Sequence, residues 1–419
     1  MQDKEHLSWP HLFAIGALAV LLGLAIVLQP GSTYSSPAKM DAYFGGELSP
    51  NSWAWEGSWS KSAEPFKYRI LFRYSVDFFA DSLTAFLPKD LTTYWYALVT
   101  GLLISISFSL VALELLLREC NYKPSLRSIL LIVWFLFPPI HHAFLLPVQT
   151  KEDFLAYGIF FLGIRSILKN DLYGVLFWTI LAALTRETLL ILPLVFFLVS
   201  CKPLSQRVLP LICAVALQLG IRILMGTEGY QVLRNENFET ALTIPMSIFL
   251  ILGFGWVGLF TLLLKTRIAS TYNMTLQSLK LKNCDEESGP PDYLERLVAT
   301  LPIVFILVLI THLLMGRIVE IRISALLAPW ALIGIASLLQ GRPLRFRIVH
   351  LIVPTLVLVA IVTLELSGFG THLRDWVNPR IIGFKGQIWW LELYMQATLV
   401  ALLVSFSMMP RANKIKCKP

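Results

Sequence analysis

The sequence predicts an all-α protein: a polytopic transmembrane helical bundle of about twelve spans with a long first extracytoplasmic loop. Three observations predict it. Hydrophobic residues make up 56% of the 419 and charged residues only 15%, with a mean hydropathy of +0.66; soluble globular proteins carry about 45–50% apolar and about 25% charged residues. Apolar runs bounded by charge, Pro or Gly recur along most of the chain, as in one polytopic domain rather than two or three soluble ones. Lys and Arg, finally, are shared unequally between alternate connections.

Taken in order, the runs are Leu12–Leu28, Tyr94–Leu117, Ile129–Ile140, Phe154–Leu168, Leu172–Leu184, Thr188–Val199, Val208–Leu224, Thr243–Leu264, Leu297–Met315, Ile323–Leu339, Ile348–Leu366 and Ile388–Met408. The first follows Lys4, as a signal peptide would. Gly31-Ser32-Thr33-Tyr34 offers no small-x-small cleavage site, so the run is expected to stay as an anchor. With the N-terminus inside, 20 cations fall on the cytoplasmic side and 14 outside, 6 of those in the loop after span 1. Long loops do not count in the positive-inside rule, so the comparison is 20 against 8. The expected location is the plasma (inner) membrane, with both termini cytoplasmic, residues 29–93 outside and residues 265–296 as the long cytoplasmic loop.

Several classes are excluded. The net charge of +8 comes from scattered cations that form no basic stripe, so nucleic acid is not an expected partner. Four of the five cysteines (Cys120, Cys201, Cys284, Cys417) fall in segments assigned to the cytoplasm, which argues against a secreted disulfide scaffold. Pro and Gly do not recur at matching positions in the two halves, which weakens a transporter of inverted repeats. Gly-rich phosphate loops, Asp-x-Asp, a Ser nucleophile elbow and His-Glu-x-x-His are all absent.

The polar chemistry collects at the outer face. In the first loop Arg69, Arg73, Asp77 and Asp81 are spaced by four, which on a helix makes one polar stripe on an apolar surface and predicts a helix in the membrane interface. Its arginines either contact headgroups passively or serve a site. Between spans 3 and 4 lies a polar turn from His141-His142 through Lys151-Glu152-Asp153. Adjacent histidines point apart on a helix, so a metal site there matches no standard pattern; a divalent metal stays open as a cofactor, and no metal ligand is assigned.

Arg186-Glu187 interrupts the 28 residues of Leu172–Val199. Two helices of about 12–13 residues rise only about 20 Å against a hydrocarbon core of about 30 Å. The Arg-Glu turn should therefore lie below the outer surface, as a salt bridge pinning a hairpin or as the lining of a groove. Arg317, Glu320 and Arg322 form a further charged turn outside. Together Arg69, Arg73, Lys151, Arg186, Arg317 and Arg322 make a cationic cluster suited to the phosphate of a lipid headgroup, with Glu187, Glu320, His141 and His142 in support. A loop carboxylate above such a cluster suits a general base.

This layout resembles the GT-C superfamily of polytopic glycosyltransferases. The residues that carry the resemblance are Asp41-Ala42-Tyr43-Phe44 soon after span 1, Pro65-Phe66-Lys67-Tyr68-Arg69-Ile70-Leu71, Thr185-Arg186-Glu187-Thr188 and Glu320-Ile321-Arg322. The resemblance implies transfer of a sugar from a polyprenyl-phosphate-linked donor to an acceptor on the extracytoplasmic side, with Asp41 as base. The superfamily's paired acidic motif is not here: Asp41 is followed by Ala42 and Tyr43, and Glu47 is the nearest second carboxylate. A twelve-span transporter or flippase, and a non-catalytic scaffold of envelope polysaccharide assembly, remain the alternatives.

Overall fold

The computed structural model describes residues 70–135, 153–225, 255–265, 293–314 and 325–340, with scattered single residues elsewhere. Among the described residues every regular element is helical and no strand occurs. In chain order they are α1 (Ile70–Leu83), α2 (Leu91–Glu119), α3 (Pro124–Phe135), α4 (Asp153–Leu168), α5 (Leu172–Thr185), a 3-10 turn (Glu187–Leu190), α6 (Ile191–Val199), α7 (Leu204–Met225), α8 (Gly255–Lys265), α9 (Tyr293–Ala299), α10 (Leu301–Leu314) and α11 (Ala328–Leu339).

Two of these, α2 and α7, are long and apolar enough to cross a membrane. Helices α3, α5, α6, α8 and α11 are apolar but shorter. Expected spans 1, 11 and 12 lie outside the described residues apart from isolated positions. Several boundaries differ from the sequence reading: α3 begins five residues before Ile129, and the run expected over Leu297–Met315 is divided between α9 and α10. The loop expected over 265–296 ends in helix, because Tyr293–Ala299 turns Leu297 and Ala299 into a buried face.

The chain divides into two compact units, one of residues 1–121, 142–231 and 273–300, the other of 122–141, 232–272 and 301–419. In the first, α2 is the spine. Asp90 caps its start, its carboxylate accepting from Thr93 N–H at 2.8 Å. Asn121 ends it in the left-handed region at φ 58°, a conformation Asn tolerates better than most residues.

Helix α1 packs its apolar face, Phe72, Val76 and Ala80, inward, with Val76 and Phe72 against Gly101 of α2. The helix expected over this polar stripe is therefore present, and its apolar face is seated on α2. Of its polar stripe, Asp77 accepts a hydrogen bond from Tyr94 Oη at 3.4 Å and Asp81 is exposed, while Tyr74 and Phe78 point outward.

Helices α2 and α4 run in the same direction. Gly158 of α4 lies so close to Ser109 that a Cβ there would fall on the Phe108 ring; further along both helices Arg165 Nε reaches Glu119 Oε2 at 3.3 Å. Asp171 caps the start of α5, accepting from Gly174 N–H at 3.1 Å, and α5 returns antiparallel to α4. After the 3-10 turn, α6 comes back again, and Ser200 Oγ donates to Asn170 Oδ1 at 2.8 Å. That bond joins the two ends of a helical hairpin spanning residues 172–199. Just beyond it Cys201 is disulfide-bonded to a partner outside the described residues, whereas Cys120 and Cys213 keep free thiols.

The second unit has its closest packing between α8 and α11. A Cβ on Gly258 would fall on the Ala331 carbonyl, and one on Gly334 on the Gly258 carbonyl. Backbones meet here directly, an approach that small residues permit. Trp256 packs its ring 6.0 Å from that of Phe305, and Trp134 and Trp330 are fully buried.

Candidate functional site

Helix α5 stops at Thr185 because Arg186 adopts an extended backbone, φ −162° and ψ 132°, before the 3-10 turn begins. The break is held from both sides. Arg186 N–H donates to Ala182 O at 2.9 Å, and Gln218 of α7 donates through Nε2 to Ala183 O at 2.6 Å. Two carbonyls of the last turn of α5 are thus satisfied without helix continuing.

The Arg186 side chain is ion-paired through Nη1 with Asp153 Oδ1. Both are withdrawn from solvent, with relative exposures of 3% for Arg186 and 0% for Asp153. Each charge stands at the helix end that favours it, since Asp153 opens α4 and Arg186 closes α5. A carboxylate complements the positive N-terminal end of a helix and a cation the negative C-terminal end. Phe154 and Tyr157, rings edge-on at 6.0 Å, continue the buried wall behind Asp153.

The opposite end of this unit carries most of the cations among its described residues. Arg165 and Lys169 both reach Glu119 Oε2 at 3.3 Å. Arg207 donates from Nε and Nη2 to Phe197 O at 2.9 and 2.6 Å, its guanidinium 4.7 Å from the Phe197 ring centroid. Arg296 donates to Val199 O at 2.7 Å. Two guanidinium groups therefore close the carbonyl end of α6, where cations and extra donors are favoured. Burial lowers the Arg296 pKa, with Tyr293 acting weakly in the other direction.

Of the residues the sequence singled out, Arg186 is described in full. Arg73 and Glu187 have helical backbones, on α1 and the 3-10 turn, but their side chains lie outside the described residues. Asp41, Glu47, Arg69, His141, His142, Lys151, Arg317, Glu320 and Arg322 also lie outside them. The structure packs α1, which carries Arg73, against both α2 and α5, the helix that ends at Arg186. Asp153 was not assigned a role from sequence. Its signal was there: it opens one apolar helix while Arg186 closes the next, and a short connection makes such helices antiparallel. Among the described residues no group of three His, Cys, Asp or Glu is placed to hold a metal ion. Comparison with protein-family models, with curated proteins and with solved structures finds no match to this chain.

Proposed function

We propose that the chain is an integral inner-membrane protein of about twelve expected spans, both termini cytoplasmic, that transfers a sugar from a polyprenyl-phosphate donor to an acceptor outside the cytoplasm. The observation that carries the reading is the buried Arg186–Asp153 pair at the end of the first unit opposite its cation-rich end. Charges inside an apolar helical assembly cost a few kcal/mol each and mark functional positions by default. The cation-rich end, with Arg165, Lys169, Arg207 and Arg296, is the one that the positive-inside rule assigns to the cytoplasm.

In this reading Asp41, with Glu47 as the second candidate, removes the proton of an acceptor hydroxyl. The oxygen attacks the anomeric carbon, the bond from that carbon to the phosphate oxygen breaks, and polyprenyl phosphate leaves. The guanidinium groups of the outer cluster, Arg186 among them, stabilise the charge gathering on that leaving phosphate. The test uses the full chain in nanodiscs supplied with polyprenyl-phosphate sugars and a hydroxyl acceptor. Release of polyprenyl phosphate is expected, falling at least about 100-fold in Asp41→Asn. Unchanged release in that variant would remove Asp41 from the mechanism. Lipid flipping in liposomes without release would replace the transferase by a flippase.

A further inference from the structure

The hairpin built from α5, the 3-10 turn and α6 is much shorter than α2 and α7, the two long helices it packs with. Helix α2 has 29 residues and rises about 43 Å, whereas α5 has 14 and rises about 21 Å. Both ends of the hairpin stand level with the C-terminal end of α2. Ser200 is bonded to Asn170, and Lys169 beside it reaches Glu119.

The level of the tip follows from two independent contacts. Gly158 lies against Ser109, so Asp153, five residues earlier on the parallel α4, stands beside roughly residue 104 of α2. The rings of Phe108 and Trp178 are 6.5 Å apart, and eight residues further along the antiparallel α5 brings Arg186 beside roughly residue 100. Either way α2 continues about 13–20 Å beyond the tip before reaching Leu91. Helix α7 also runs on, since Gln218 contacts Ala183 and the helix continues to Met225.

We infer that Leu172–Val199 is a re-entrant hairpin. It enters and leaves the membrane on the face that carries Asn170 and Ser200, and Asp153 fastens its tip at mid-depth. The inference rests on the membrane reading above and is independent of the transferase reading. The two expected spans Leu172–Leu184 and Thr188–Val199 then contribute no crossing, and because they drop out together the sidedness of every other segment is unchanged. Arg186 is not a surface cation: an anion reaching it must descend past the first half of α2 and displace Asp153.

Cysteine labelling in sealed vesicles of both orientations tests this, using the full chain with its native cysteines retained and site-resolved mass spectrometry. The reporters are Ala85→Cys in the turn before α2, Ser205→Cys at the start of α7, both exposed, and Thr188→Cys at the hairpin tip. With a charged, membrane-impermeant maleimide, the first two should react from opposite faces. Thr188→Cys should react about 100-fold more slowly from either face, since bringing a charged group to membrane depth costs about 2.5–3.5 kcal/mol. Reaction of Thr188→Cys from the Ala85 face at the rate of Ala85→Cys would make the hairpin two full spans and overturn the inference. Reaction of both surface reporters from one face would instead defeat the membrane crossing on which it rests.

Discussion

Arg186 and Asp153, 33 positions apart in sequence, are ion-paired where the end of α5 meets the start of α4. The pair has no solvent to fall back on, so the stability of each charge depends on the other. Removing one member of a buried pair costs about 3–5 kcal/mol, because the remaining charge stays buried without its partner, whereas replacing both is often nearly neutral. Asp153→Asn and Arg186→Gln should each lower the thermal midpoint of the purified protein markedly. The double variant should recover most of that loss. Equal loss in the double variant would show that the pair is not what stabilises the tip. Assayed for release of polyprenyl phosphate, a stable but inactive double variant would give Arg186 a role on the donor, and a stable, active one would leave it only a fastening role.

The close approach of α8 and α11 gives a prediction about packing. Gly258→Ala and Gly334→Ala each place a methyl group on a backbone carbonyl of the facing helix. A carbonyl cannot rotate aside as a side chain can, so the helices must separate, at a cost of about 1–3 kcal/mol each for overpacking. Ala336→Gly, at a buried position of the same helix, adds no atom to the interface and should cost about 1 kcal/mol of helix propensity plus the loss of one buried methyl group. Detergent-solubilised thermal scans of the three variants would show whether the two glycines stand apart.

Cys120 supplies a pH-dependent prediction. Burial first, and the neighbouring Glu119 second, push its thiol up from 9.0 to about 12. The neutral form is favoured in the folded state, so this contribution to stability is complete below pH 9 and is lost as pH rises towards 12. The thiolate is the reactive species. Alkylation of Cys120 by iodoacetamide at pH 8 should therefore be roughly a thousandfold slower in the folded protein than in the chain unfolded in detergent. Comparable rates would mean the site is not closed.

Cys201 puts sidedness and redox state in direct competition. It is disulfide-bonded, yet the cation count assigns its segment to the cytoplasm, where thiols are kept reduced. Trapping thiols at the moment of lysis should capture Cys201 reduced, and purification in air should convert it to the disulfide. A disulfide already present in the cell would place this end of the hairpin in an oxidising compartment and turn the chain around.

The helical class was legible because apolar runs declare themselves, and α2, α4 and α5 begin and end within three residues of the expected limits. The break at Arg186 was legible from the Arg186-Glu187 pair that interrupts an apolar stretch, and its depth from the shortness of the two runs. What sequence could not give was the partner. Glu187 is adjacent in the chain, which suggests it as the partner, but its side chain lies outside the described residues. The pairing with Asp153 is a tertiary fact, produced by antiparallel packing of α4 and α5. The seating of α1 on α2 was hidden similarly, since one apolar face suits a membrane surface and a neighbouring helix equally well.

The two units are interleaved along the chain, and this has a consequence for how the protein is made. Arg296, which closes the carbonyl end of α6 at Val199, is supplied 97 residues later. Residues 232–272, which belong to the other unit, are synthesised in between. Until the ribosome has delivered Arg296, the carbonyl end of α6 has the Arg207 contact at Phe197 but lacks the one at Val199. The first unit therefore cannot finish folding before part of the second has emerged. No single cut of the chain yields one unit whole and alone.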